Sequence, residues 1–122
     1  MRKNILIADD DLTMMKLISI DFTARALDVD VRSAENGEEA IAAIERTQPD
    51  LLVLDLRMPK VDGFAVLDHL SEQKKDFPVI VLSNDDLPES FERCTTFGVK
   101  EFLVKRHVPL QTILERVSAY VA

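Results

Sequence analysis

Four places along this chain carry side chains able to do chemistry together, and each follows a short apolar run. Ile5-Leu6-Ile7-Ala8 leads into Asp9-Asp10-Asp11. Leu51-Leu52-Val53-Leu54 leads into Asp55, with Arg57-Met58-Pro59 behind it. Val79-Ile80-Val81-Leu82 leads into Ser83-Asn84-Asp85-Asp86, and Phe102-Leu103-Val104 into Lys105. Carboxylates held close to one another repel, and their pKa values rise unless a hard cation sits among them. Mg²⁺ suits such a group, because it prefers oxygen ligands, accepts one or two carboxylates and fills its shell with water and phosphate oxygens. A lysine ammonium and a serine hydroxyl opposite the metal would hold phosphoryl oxygens. The set is suited to accepting a phosphoryl group on a carboxylate nucleophile.

Taken singly, each residue has a plainer explanation. Asp9 to Asp11 and Asp55 are the residue type that caps helices, Ser83 suits a turn, and Lys105 suits a solvated surface. Their joint placement favours the functional reading, and it depends on the elements that carry them. Four of the five apolar runs are nearly continuous rather than alternating, as parallel strands buried on both faces require; Val29 to Ser33 is the weak one. Between the runs the apolar residues recur at helical spacing, which predicts helices over 12–27, 37–47, 64–73, 87–97 and 109–120. In the first of these, Met14, Leu17, Ile18 and Phe22 make one face, leaving Lys16, Asp21 and Arg25 to water. Pro49 stops the second, and Pro109 stands at the start of the last. Five β-α units with short connections and right-handed crossovers give an α/β doubly wound parallel sheet with helices on both faces. Ligands bind such sheets beyond the carboxyl ends of the strands, where all four polar groups fall.

Composition narrows the function further. The 122 residues predict one domain, 1–122, large enough for its own core. A formal net charge of −7 argues against nucleic acid or an anionic membrane as the direct ligand. The single cysteine, Cys94, excludes an internal disulfide and a cysteine zinc site. No apolar run is long enough to span a bilayer, so the expectation is a cytoplasmic protein.

The segments Ile5-Leu6-Ile7-Ala8-Asp9-Asp10, Leu54-Asp55-Leu56-Arg57-Met58-Pro59 with Asp62-Gly63, Val81-Leu82-Ser83 and Phe102-Leu103-Val104-Lys105 resemble the receiver domain of two-component response regulators along the whole chain. The resemblance implies a flavodoxin-like, chemotaxis-type sheet of order 2-1-3-4-5. It makes Asp55 the phosphoacceptor, taking its phosphoryl group from a phosphohistidine on a sensor histidine kinase or a histidine phosphotransfer protein. It assigns Mg²⁺ to Asp10 directly, to Asp9 mainly through water, to Asp55 and to the backbone carbonyl of Arg57. Lys105 would pair with the phosphoryl group. Ser83 would swing towards it and let Phe102 turn inward, reorganising the face of the fourth helix, fifth strand and fifth helix. This is a local charge event biasing a two-state element. A phosphorylation-dependent dimer, and the downstream effector, stay open.

Three residues depart from the family's usual pattern. Arg106 stands where proline normally follows the lysine, which predicts a strained or a trans Lys105-Arg106 bond. Asn84 stands where a small residue is common, and should narrow access to the acyl phosphate. Phe102 lacks the hydroxyl of the frequent tyrosine. Arg57 and Asp85, each two residues past a site residue, are expected to overhang the mouth as an exposed pair, or with Arg57 alternately on the phosphoryl group, hindering water. His69 and His107 have no partner that suggests a metal, and Cys94, Met14 and Met15 suit packing. Two other readings stay open. One is a pseudo-receiver that only binds partners. The other is an aspartyl-phosphate phosphohydrolase, disfavoured because Arg57 occupies the position of the usual acid and no cap insertion encloses a substrate.

Overall fold

The computed structural model describes residues 2–122. Strands and helices alternate throughout: β1 Lys3–Ala8, α1 Thr13–Ala24, β2 Val29–Ala34, α2 Gly37–Arg46, β3 Leu51–Leu54, α3 Gly63–Glu72, β4 Val79–Ser83, α4 Pro88–Phe97, β5 Glu101–Val104 and α5 Leu110–Ala119. All strand pairs are parallel, in the order β2-β1-β3-β4-β5.

Alternation along each strand divides the core into two layers. Leu6, Ala8, Leu52, Leu54, Val79 and Val81 face the layer that buries α2, α3 and Cys94 of α4. Ile5, Ile7, Leu51, Val53, Ile80 and Leu82 face the other, which takes Ile18 and Phe22 of α1 and Ile113, Leu114 and Val117 of α5. The three central strands are therefore apolar on both faces, as their continuous runs demand. Met14 and Met15 pack against the second layer.

The expected elements all form, with shifted ends. β1 begins two residues early because Lys3 and Asn4 extend the pairing to Val29 and Asp30 despite their polarity. α1 ends at Ala24, where Ala26 takes a left-handed φ of 58° and breaks the helical run. Pro109 is the residue before α5 rather than its first, while Pro88 does occupy the first turn of α4, where its missing N–H costs nothing. No described helix is long and apolar enough to cross a membrane.

Cys94 is 1% exposed, and burial, aided by the nearby charge of Asp85, pushes its thiol up to about 11. A thiol that is both covered and un-ionised at neutral pH reacts slowly. The native protein should therefore take up an aromatic disulfide reagent at pH 7.5 far more slowly than the urea-unfolded chain. Equal rates would show that α4 lifts off its neighbours readily.

Candidate functional site

The cleft forms because the strand pairing runs one step past the strands themselves. Asp9 N–H donates to the carbonyl of Ala34, Asp55 N–H to that of Ala8, and Lys105 N–H to that of Ser83, each at 2.9 Å. These bonds set Asp9 beside Asp55 and Lys105 beside Ser83 at the carboxyl edge of the sheet. The cleft beyond them, about 520 Å³, is lined by Asp9, Asp10, Asp11, Asp55, Arg57, the run from Ser83 to Leu87, and Lys105.

Within it Asp55 is 7% exposed, and each of its oxygens has a separate environment. Oδ1 accepts the Ser83 hydroxyl at 2.6 Å and the Arg57 N–H at 3.1 Å. Oδ2 faces the Lys105 ammonium at 3.3 Å. The same ammonium donates to Asp9 Oδ2 at 2.5 Å, while Asp9 Oδ1 accepts the N–H of Asp11. Asp10 is exposed, and one carboxylate oxygen each from Asp9, Asp10 and Asp55 lie within 4.8 Å of one another.

One ammonium thus serves several acids. Burial raises the pKa of Asp9 and outweighs the lowering by Lys105. Burial alone would lower Lys105, yet its hydrogen bond to Asp9 and the charges of Asp55 and Asp9 raise it. Both groups hold protons more tightly than usual, Asp9 because it is buried and Lys105 because two carboxylates face it. The donor set is all oxygen, short of positive charge and open to solvent through Asp10, which fits a hard divalent cation such as Mg²⁺.

The backbone around Asp55 is held by close approach. Asp62 Oδ1 caps α3 through the N–H of Ala65, and Gly63 N–H donates to the carbonyl of Leu56. A Cβ on Gly63 would lie 2.5 Å from the carbonyl oxygen of Asp55. The Asp-Gly step therefore lets α3 start directly against the Asp55 turn. Gly37 N–H braces the far side of that loop by donating to the Val61 carbonyl at 2.8 Å. Neither glycine contact was visible in the spacing alone.

Over the mouth, Arg57 Nη2 lies 2.6 Å from Asp85 Oδ2, the pairing expected. The expectation of two exposed partners is corrected, however: the Arg57 side chain is 58% exposed and that of Asp85 only 1%. Asp85 turns inward because the Leu87 N–H and the Ser90 hydroxyl both donate to it, closing the first turn of α4. Burial alone would raise its pKa, but these bonds and Arg57 hold it below the usual carboxylate range. The Lys105-Arg106 bond is trans, since the described residues contain no cis peptide. Phe102 is half-buried and meets the exposed Phe91 of α4 edge to face, ring centroids 5.6 Å apart. His69, away from the cleft, pairs with Glu45 at 2.8 Å.

A doubly wound parallel sheet with carboxylates, a hydroxyl and an ammonium at its carboxyl edge defines a domain with an acid-lined ligand cleft. Within that class the chain belongs to the response regulator receiver domain family of two-component systems, whose model matches residues 5–118. It is 34% identical over 121 residues to the alkaline phosphatase synthesis transcriptional regulatory protein PhoP of Bacillus subtilis, covering 98% of this chain and 48% of that protein. It is 36% identical over 104 residues to the probable C4-dicarboxylate response regulator DctR of the same organism, covering 84% and 45%. The chain spans about half the length of the curated relatives it matches. Among solved structures, the receiver domain of the Francisella response regulator 1452 superposes with a TM-score of 0.83 at 29% identity, covering 98% of this chain and 97% of the other. A CheX-CheY-BeF3-Mg complex from Borrelia burgdorferi gives 0.81 at 31% identity, with 98% and 90% coverage.

Proposed function

We propose that this chain is a phosphoacceptor switch in which Asp55 takes a phosphoryl group from a phosphohistidine of a sensor kinase or histidine phosphotransfer protein. The observation that carries the reading is the asymmetry around Asp55. One oxygen is held by Ser83 and Arg57, and the other faces Lys105 beside Asp9 and Asp10. An Asp55 oxygen attacks phosphorus as the P–N bond breaks, and the imidazole nitrogen keeps the electron pair. Asp9, Asp10, Asp55 and the Arg57 carbonyl would hold Mg²⁺, which when bound supplies the charge that lets an anionic donor approach a carboxylate. The solved complex of the Borrelia CheY relative with BeF3 and Mg supports that choice.

Lys105, already between Asp9 and Asp55, pairs with the new phosphoryl oxygens. As the acyl phosphate forms, Asp55 gives up its carboxylate charge and holds the Ser83 hydroxyl less tightly, and that hydroxyl turns to the phosphoryl group. Phe102 then packs further inward, which reshapes the face of α4, β5 and α5. The acidic surface suits protein partners rather than nucleic acid. We read residues 1–122 as one receiver unit working in the cytoplasm.

The test is intact mass after incubation with Mg²⁺ and a small acyl phosphate. A single phosphoryl adduct is expected that requires Mg²⁺ and is missing in Asp55→Asn. A folded protein that takes up nothing would favour a partner-binding pseudo-receiver instead. Decay of the adduct tests the mouth. With Arg57 tethered to Asp85 above Asp55, water reaches the acyl phosphate slowly, so Arg57→Ala should dephosphorylate several-fold faster. Asp85→Ala should do the same, and unchanged decay in both variants would remove the gating role.

A further inference from the structure

Asn84 and Arg106 are the two departures that flank the site hydroxyl and the site lysine, and in the folded protein they bond to each other. Arg106 N–H donates to Asn84 Oδ1 at 3.0 Å, and the Arg106 guanidinium returns to the Asn84 carbonyl at 2.7 Å. Its other nitrogen reaches Asp86 Oδ2 at 2.5 Å. The parallel register of β4 on β5 ends at Ser83 opposite Val104, and Lys105 N–H donates back to Ser83. One residue further along, where the chain has left β5 and turns, the Asn84 side chain supplies the acceptor for the Arg106 N–H.

Lys105 opens the turn that follows β5, and two consecutive ties bind that turn to the end of β4, its own N–H to Ser83 and the N–H of Arg106 to Asn84, so Lys105 cannot move without disturbing them. The same bonds join it to Ser83, so the ammonium and the hydroxyl that both reach Asp55 ride on one fastened unit. A proline after Lys105 would have no N–H for Asn84, and an alanine or glycine at 84 would have no side-chain oxygen for the Arg106 N–H. Each departure supplies what the other needs.

We propose that Asn84 and Arg106 are paired positioning residues that fix Lys105 and Ser83 relative to each other, so that the two loops respond to phosphorylation as one body. This rests on Asp55 being the phosphoacceptor. It is tested with Mg²⁺ and a small acyl phosphate as the probe, by comparing the uptake rate at saturating donor with the half-saturating donor concentration. Misplacing a catalytic ammonium costs rate rather than donor binding. Asn84→Ala and Arg106→Pro should each slow saturated uptake by roughly ten-fold with little change in half-saturation. The doubly substituted protein should be no slower than either, because both remove the same bond. Asn84→Asp keeps an acceptor oxygen and should restore most of the rate, and Arg106→Ala keeps the N–H and should lose least.

Multiplying effects in the double variant, or wild-type uptake in Asn84→Ala, would overturn the pairing. Hydrogen exchange at the Arg106 amide gives a readout that needs no phosphoryl transfer. Protection in the parent protein that is lost in Asn84→Ala is expected, and an unprotected parent amide would refute the bond. If the parent protein takes no phosphoryl group, the reading of Asp55 fails while the amide still decides the pair.

Discussion

Replacing Lys105 by methionine is expected to destabilise the domain most at alkaline pH and least near pH 5. The ammonium is the counter-charge shared by Asp9 and Asp55, whose side chains are 5% and 9% exposed. Breaking a buried ion pair by removing one partner costs about 3–5 kcal/mol; with the Lys105 side chain 20% exposed at an open cleft, about 2–3 kcal/mol is expected. The pH dependence follows from Asp9, whose carboxyl stands above its ordinary range through burial even with Lys105 present. A carboxyl whose folded pKa exceeds its unfolded one favours the fold while protonated, and that stability is lost as pH rises through the folded value. Removing the ammonium raises Asp9 further and widens that window upwards. Urea unfolding of both proteins at pH 5 and pH 8 measures the difference, and Mg²⁺ should return part of the loss at pH 8. A loss equal at both pH values would mean that Lys105 acts through packing alone.

Gly63→Ala should damage the site more than its chemical modesty suggests. The added methyl would meet the Asp55 carbonyl oxygen at 2.5 Å and the Leu56 Cα at 2.7 Å, both backbone atoms that no rotamer change can move aside. Overpacking costs roughly 1–3 kcal/mol where side chains absorb it; here about 3 kcal/mol is expected. The Asp55 turn must move with it, and with that turn the Arg57 N–H that holds Oδ1. Phosphoryl uptake should fall by at least about ten-fold. Gly98→Ala is the control, since nothing lies within 4 Å of a Cβ there and only its φ of +83° resists substitution. About 1 kcal/mol of stability should be lost with uptake unchanged. Comparable uptake in the two variants would show that the close approach at Gly63 does not position Asp55.

Much of this was legible before any coordinates. The continuous runs at 5–8, 51–54 and 79–82 could only be strands covered on both faces, and the acids, serine and lysine after them then had to share an edge. The family resemblance supplied the strand order, which periodicity could not. What stayed hidden depends on side chains meeting across the sheet. Asp85 read as the exposed partner of Arg57 over the mouth, because nothing in its neighbours' types shows that Leu87 and Ser90 turn it inward. Asn84 and Arg106 read as two unrelated departures, because their meeting depends on the register of β4 against β5 and on one rotamer. Element ends moved where polar residues such as Lys3 and Glu101 continue a pairing that hydrophobicity alone would stop.

The position of β1 in the sheet also bears on how the molecule comes into being on the ribosome. β1 pairs with both β2 and β3, and one residue past β3 Asp9, Asp10 and Asp55 have all been made. Lys105 follows 50 residues later. At about 5–20 residues per second, the nascent chain carries its acids without their lysine for roughly 3–10 seconds. During that interval the chain lacks the Lys105 ammonium to set against these acids, and a divalent cation from the surroundings is the counter-charge at hand.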